Sequence, residues 1–214
     1  EKIEAVLDYV KKNYSVKYSS VVRQILSSTG TVFLFSKYLD SGVKAIAVIL
    51  DVLDFIKFDP LEEGRAIKAT TPKNRYVLWT GEIVGQKKEI FSNKVIGLFN
   101  SDQNIDGKFI KIIMGTEAIS EGVSLHNVRN VHILTPWWND SRMKQIQGRA
   151  IRLQSHKNLR EKERYVNVYT HISTLPTFPA ELDVKKLTNK LKLSDNSKLK
   201  LGAAKKMGLT TKSI

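Results

Sequence analysis

Short apolar, β-rich runs alternate with helix-periodic stretches along most of this chain, and that alternation constrains its fold more than any other feature. The runs are Thr31–Phe35 (TVFLF), Tyr76–Trp79, Phe109–Met114, Val131–Leu134 and Arg164–Thr170. Each has strand length and is rich in residues that fit a pleated surface. Between them lie helical patterns: Leu39, Val43, Ala47, Leu50 and Leu53, then Lys87–Phe99, a short stretch near Thr116–Glu121, and Asn139–Leu153. Two further helices open the chain, marked by Ile3, Val6, Leu7 and Val10 and by Val21, Val22, Ile25 and Leu26 at i, i+3, i+4 spacings. Residues 59–75, with Pro60, Gly64 and Pro72, lose the period and read as a long loop. Strands alternating with helices predict an α/β three-layer sandwich, a mainly parallel sheet with helices on both faces. In such sheets ligands gather beyond the carboxyl ends of the strands. Ser36, Thr80, Gly115, Thr116 and Thr135 are therefore the first places to look.

Composition removes several classes of function. With 42% apolar and 26% charged side chains in 214 residues, the chain can bury a core of its own. Its longest charge-free runs, Gln24–Ser36 and Tyr165–Ala180, are broken by Ser, Thr, Gly or Pro, so no transmembrane span is expected. The absence of cysteine excludes a disulfide scaffold, a zinc finger and a thiol nucleophile, and fits an intracellular protein. His126, His132, His156 and His171 have no ligand spacing, so no metal site is expected. The net charge of +14 points to a polyanionic partner, nucleic acid first. Residues 181–214 are the densest source, with nine Lys against three acids, and read either as a solvated end or as a phosphate-binding arm. The chain opens on Glu1, inside a helical pattern and without an initiator Met, as a piece of a longer protein would.

Two stretches carry chemistry. In Gln145–Arg152 (QIQGRAIR), Gln145, Gly148, Arg149 and Arg152 fall at i, i+3, i+4 and i+7, which on a helix lines an amide and two guanidiniums along one face. Permanently charged planar forks match phosphate oxygens and suit the charge that develops on a γ-phosphate during transfer. The same stripe also describes a solvent-facing basic helix. In Met114–Leu125 (MGTEAISEGVSL), Gly115 and Thr116 offer backbone N–H groups and a hydroxyl at the end of a buried strand, a cradle for a phosphate backbone, and Gly122 and Ser124 follow. Alone, this stretch also reads as a turn that needs glycine. Trp137 and Trp138 read first as packing and second as a stacking platform, and Asn139 as the cap of the following helix.

In order and spacing these stretches resemble the second RecA-like domain of superfamily 2 helicases and translocases. Residues 115–124 are similar to motif V, with Ser124 where many relatives have Asp, and QIQGRAIR is similar to motif VI. TPWWN (Thr135–Asn139), six residues before Gln145, resembles the Trp-Asn segment of Swi/Snf-type remodellers. FLFSK around Phe35 looks like motif IV, and WTGE (Trp79–Glu82) like the segment that approaches the nucleic-acid backbone. The text around EGVSLHNVRNVHIL, the WWN, GRAIR with its following SH, and ERYVNVY is similar to the large-DNA-virus branch, the nucleoside triphosphatase I and early-transcription-factor helicase subunits of poxviruses and their relatives.

The resemblance covers residues 31–172 and implies an organisation of N-terminal helices over 1–30, a RecA-like domain over 31–175 and a basic tail over 176–214. It implies that Arg149 and Arg152 are arginine fingers on ATP and Mg²⁺ held mainly by a first RecA-like domain, in cis or in trans. Gln145 would organise that cleft, and Ser124 with Gly122 would sit at the nucleotide. Ser36, Thr80, Gly81, Gly115 and Thr116 would hold the backbone of DNA or RNA. The viral branch implies a link to transcription machinery, and a place in the host cytoplasmic factory or the virion. No GxxxxGK[ST] loop and no DExH box occurs; GEIVGQKK from Gly81 is one residue short between its glycines. The chain alone is thus expected not to hydrolyse ATP. A rival reading is an inert nucleic-acid-binding or scaffolding module that keeps the fold.

Overall fold

The structure, a computed structural model, describes residues 1–60, 74–82, 85–119 and 123–174. Six strands form one all-parallel sheet: β1 (Thr31–Phe35), β2 (Ile56–Lys57), β3 (Arg75–Trp79), β4 (Ile112–Gly115), β5 (Val128–Ile133) and β6 (Asn167–Thr170). Their order is β2-β3-β4-β1-β5-β6. Among the described residues five α-helices flank it: α1 (Lys2–Asn13), α2 (Val16–Ser27), α3 (Ala45–Val52), α4 (Gln86–Phe99) and α5 (Asp140–Gln147).

The central strand shows why the layers form. All five residues of β1 are buried, and successive side chains point to opposite faces, so Phe33 and Phe35 enter one core while Val32 and Leu34 enter another. The first core packs β1, β4 and β5 against α4 (Phe91, Val95, Phe99) and α5 (Met143, Ile146). The second takes Leu7 and Val10 of α1, Val21, Val22 and Ile25 of α2, and Ile46 and Leu50 of α3. Each such fully buried aliphatic side chain contributes about 1.5–3 kcal/mol of transfer free energy. The opening helices are thus part of one compact unit, Glu1–Ile172; of the second unit, Ser173–Ile214, only Ser173 and Thr174 are among the described residues.

The three-layer α/β sandwich expected from the alternation is present, with differences at element ends. The helix expected over Asn139–Leu153 stops at Gln147. Beyond it Arg149 N–H turns to the Ile146 carbonyl and the Arg149 carbonyl accepts Leu125 N–H at 2.8 Å, which draws the chain off the helix axis. The strand expected from Phe109 starts at Ile112, because the buried Asn104 side chain takes the Phe109 and Ile110 N–H groups at 2.9 Å each. The pattern from Leu39 opens as a wide π-helical turn, Leu39–Lys44, before α3, and Gly42 is required there because a Cβ would collide with the Ser36 hydroxyl. The stretch near Thr116 is a single 3₁₀ turn, Glu117–Ile119. The two-residue β2 was not anticipated; it is too short to carry a period. Most of the expected 59–75 loop, like the 176–214 tail, lies outside the described residues.

Candidate functional site

Four adjacent strands, β3, β4, β1 and β5, end side by side: Thr80, Thr116 and Ser36 directly follow the first three, and Thr135 stands two residues past the fourth. The ladder continues past the strands: Thr116 N–H donates to the Trp79 carbonyl at 3.3 Å and Ser36 N–H to the Gly115 carbonyl at 3.1 Å. Gly115 cannot be replaced without movement, since a Cβ there would lie 2.6 Å from Cγ2 of the buried Ile119. Ser36 is fully buried, and its hydroxyl accepts the Tyr38 N–H at 3.2 Å, so this residue shapes the loop instead of facing outward. Thr135 Oγ1 accepts the Lys37 N–H at 2.6 Å, leaving the Lys37 ammonium 4.2 Å over the Trp137 ring. Thr80 is buried, with its hydroxyl 3.4 Å from a Glu82 oxygen, while Gly81 stands exposed with open space around it. Lys44 bridges Asp40 at 3.1 Å and Glu82 at 3.5 Å, and its bond to Asp40 foremost holds the ammonium above its ordinary pKa.

The second cluster joins the two chemistry-bearing stretches. The Arg152 guanidinium donates to the Ser124 hydroxyl and, through Nε, to the Gly148 carbonyl at 3.0 Å. Leu125 N–H on the Arg149 carbonyl pins the backbones together, and the Nε of Arg149 is buried without a hydrogen-bond partner among the described residues. Gln145 is exposed on the last turn of α5. Because α5 ends at Gln147, Gln145, Arg149 and Arg152 do not share one helical face; turns after Gly148 present the arginines. Gly122 lies outside the described residues. The Arg152 guanidinium with the Ser124 hydroxyl suits a phosphate or sugar oxygen, and its fixed positive charge disfavours a metal cation there.

Ser155 and His156 lock the end of this segment to the start of β5. Asn127 N–H donates to the Ser155 carbonyl at 3.0 Å, and His156 Nε2 lies 2.8 Å from the Val128 carbonyl and so carries the donated proton. Burial lowers the His156 pKa, which keeps the ring neutral. Asn139 caps α5 as expected, its Oδ1 accepting Ser141 N–H at 2.9 Å. Trp137 packs on the first core between Lys37 and Arg142, whereas Trp138, expected as packing, is 89% exposed. Among the described residues no group of three or more His, Cys, Asp or Glu could hold a metal ion. No helix among them is long and apolar enough to cross a membrane.

Two partners of the site were not anticipated. Asn100, at the end of α4, bonds the backbone on both sides of Leu125, and Glu117 pairs with Arg142 at 2.7 Å, tying the 3₁₀ turn after β4 to α5. Both contacts span more than twenty residues, and no local pattern marks them.

A "Putative ATP-dependent RNA helicase" of Acanthamoeba polyphaga mimivirus is 36% identical over 172 residues, 80% of this chain and 28% of that protein. A "Termination factor NPH-I homolog" of African swine fever virus (isolate Warthog/Namibia/Wart80/1980) is 28% identical over 189 residues, 76% of this chain and 26% of that one. The chain thus spans little more than a quarter of either relative. The solved structure of the C-terminal part of the Fun30 ATPase domain shares the fold, with a TM-score of 0.52 at 18% identity over 86% of this chain and 48% of that one. The helicase conserved C-terminal domain matches residues 17–154, well over half of the sequence, and the chain belongs to that family, with a RecA-like fold and relatives among viral helicases.

Proposed function

We propose that this chain is the C-terminal motor half of a nucleic-acid-dependent ATPase of the helicase and translocase class. The observation that carries the reading is the junction of Arg149–Arg152 with Ser124–Leu125, in which the Arg152 guanidinium meets the Ser124 hydroxyl and the Arg149 backbone is tied to Leu125. In this reading ATP and Mg²⁺ are held mainly by the phosphate loop and carboxylates of a first RecA-like domain, on the same polypeptide or another. Arg149 and Arg152 meet the charge on the transferring γ-phosphoryl group, where planar forks in a dry cleft act most strongly. Ser124 lies toward the ribose while steadying Arg152, and Gln145 and Gly122 complete the cleft.

The strand-end row is the nucleic-acid face. Thr80, Gly81, Gly115 and Thr116 lie along one strand's phosphates, and Ser36 contributes through the loop it fixes. Backbone cradles and lysines hold DNA or RNA without reading bases. Closing on the first domain when ATP binds and reopening after hydrolysis would step the pair along that backbone. Because the ATP-binding parts are supplied elsewhere, the chain alone is inactive. Its viral relatives, one of them named as a termination factor homolog, support a role for the full-length protein in viral transcription inside the infected cell.

The test is turnover in the full-length protein. Arg149→Ala and Arg152→Ala are each expected to cut nucleic-acid-stimulated ATP hydrolysis by on the order of 10³-fold, with no rescue by Lys, because charge without the fork is insufficient. Nucleic-acid affinity without ATP should stay as it was. The rival, an inert binding module, requires the opposite pattern: weaker binding and untouched turnover. Near wild-type turnover in both variants would overturn the motor assignment.

A further inference from the structure

Asn100 closes α4, and its side chain reaches across to the segment that carries Ser124. Its Nδ2 donates to the Ser124 carbonyl at 2.9 Å and its Oδ1 accepts the His126 N–H at 2.8 Å. A carboxamide bonded this way stands in for one residue of a neighbouring strand. On the other side Leu125 N–H donates to the Arg149 carbonyl at 2.8 Å, and the Leu125 side chain is fully buried in the first core. Ser124–His126 is therefore gripped from both sides and from below, although no helix or strand includes it.

We propose that Asn100 is a positioning residue for the nucleotide-facing cluster. It sets the place of the Ser124 hydroxyl and, through the Leu125–Arg149 bond, the approach of the Arg149–Arg152 turn. This inference rests on the reading of Arg149 and Arg152 as nucleotide-facing groups. Asn100 does not touch the reacting atoms. It acts through the two backbone groups it holds, and a small displacement of a transition-state donor is costly when the donor must meet charge at hydrogen-bond distance. Both functions of the amide are needed: an acceptor alone would hold His126 N–H but present a lone pair to the Ser124 carbonyl.

The experiment uses the full-length protein with ATP and single-stranded DNA. Asn100→Ala should lower kcat by roughly 10- to 100-fold with KM for ATP and DNA affinity nearly unchanged, in keeping with a displaced donor set. Asn100→Asp keeps the shape but loses the donor while ionised. It should therefore turn over about as slowly as Asn100→Ala, with KM for ATP again nearly unchanged. In an Arg152→Ala background, Asn100→Ala should cost less than it does alone, because one of the groups it positions is already gone. Wild-type kcat in Asn100→Ala or in Asn100→Asp, or full additivity with Arg152→Ala, would each overturn the proposal. If Arg152→Ala itself turns over normally, the nucleotide-facing reading has failed; if Arg152→Ala is slow and Asn100→Ala is not, only the positioning role has.

Discussion

His132 stands fully buried on β5, its Nδ1 3.0 Å from Nε2 of His171 and its ring stacked on Tyr169. Burial first, and the neighbouring His171 second, push its pKa down to about 3, so it stays neutral in the fold. Burial, with help from Lys17, lowers His171 as well. In the unfolded chain both return to about 6.5. Below that value the unfolded chain takes up protons that the folded one refuses, so the stability these residues contribute is complete above about pH 6.5 and drains away as pH falls toward 3. One such proton gives a slope of at most about 1.4 kcal/mol per pH unit. Urea midpoints should therefore fall between pH 7 and pH 5, and His132→Gln should show a flatter dependence than wild type. Equal slopes in the two proteins would show that His132 is not the titrating group.

At the scale of elements, the join between β4 and the 3₁₀ turn behind it is a tight contact in the strand-end row. Gly115→Ala must push Ile119 or the turn aside, at a cost of about 1–3 kcal/mol for an overpacked site. It should also weaken nucleic-acid binding, because Thr116 moves with the turn; calorimetric melting beside a binding titration checks both, and unchanged affinity would separate Thr116 from that face. Removing the α5 cap with Asn139→Ala should cost about 1 kcal/mol of unfolding free energy. The central strands β1 and β4 were legible in the sequence because burial on both faces writes them as short unbroken apolar runs, as in TVFLF. Arg149 and Arg152 were legible through the spacing of QIQGRAIR, yet the helix meant to carry them was overextended. Its end is decided by Leu125, whose N–H claims the Arg149 carbonyl from far along the chain. Asn100 and Asn104 escaped for the same reason: each replaces backbone partners for a loop, and sequence periodicity registers regular partners only.

For the whole molecule, charge is the property that acts at a distance. The excess of +14 is carried most densely by residues 181–214, so binding to single-stranded DNA should fall steeply with salt. A chain shortened at residue 180 should show a shallower slope of log affinity against log salt. An identical slope would remove those lysines from the contact set. The order of strands in the sheet has a consequence for synthesis. β1 is translated first and lies in the middle, paired to β4 and β5 alone. At roughly 5–20 residues per second, a ribosome needs on the order of 5–20 s to deliver both neighbours. For that interval a segment apolar on both faces has no place to pair, so nascent chains halted before Ile112 should be captured by holdase chaperones, and those extended well past Ile133 should be released.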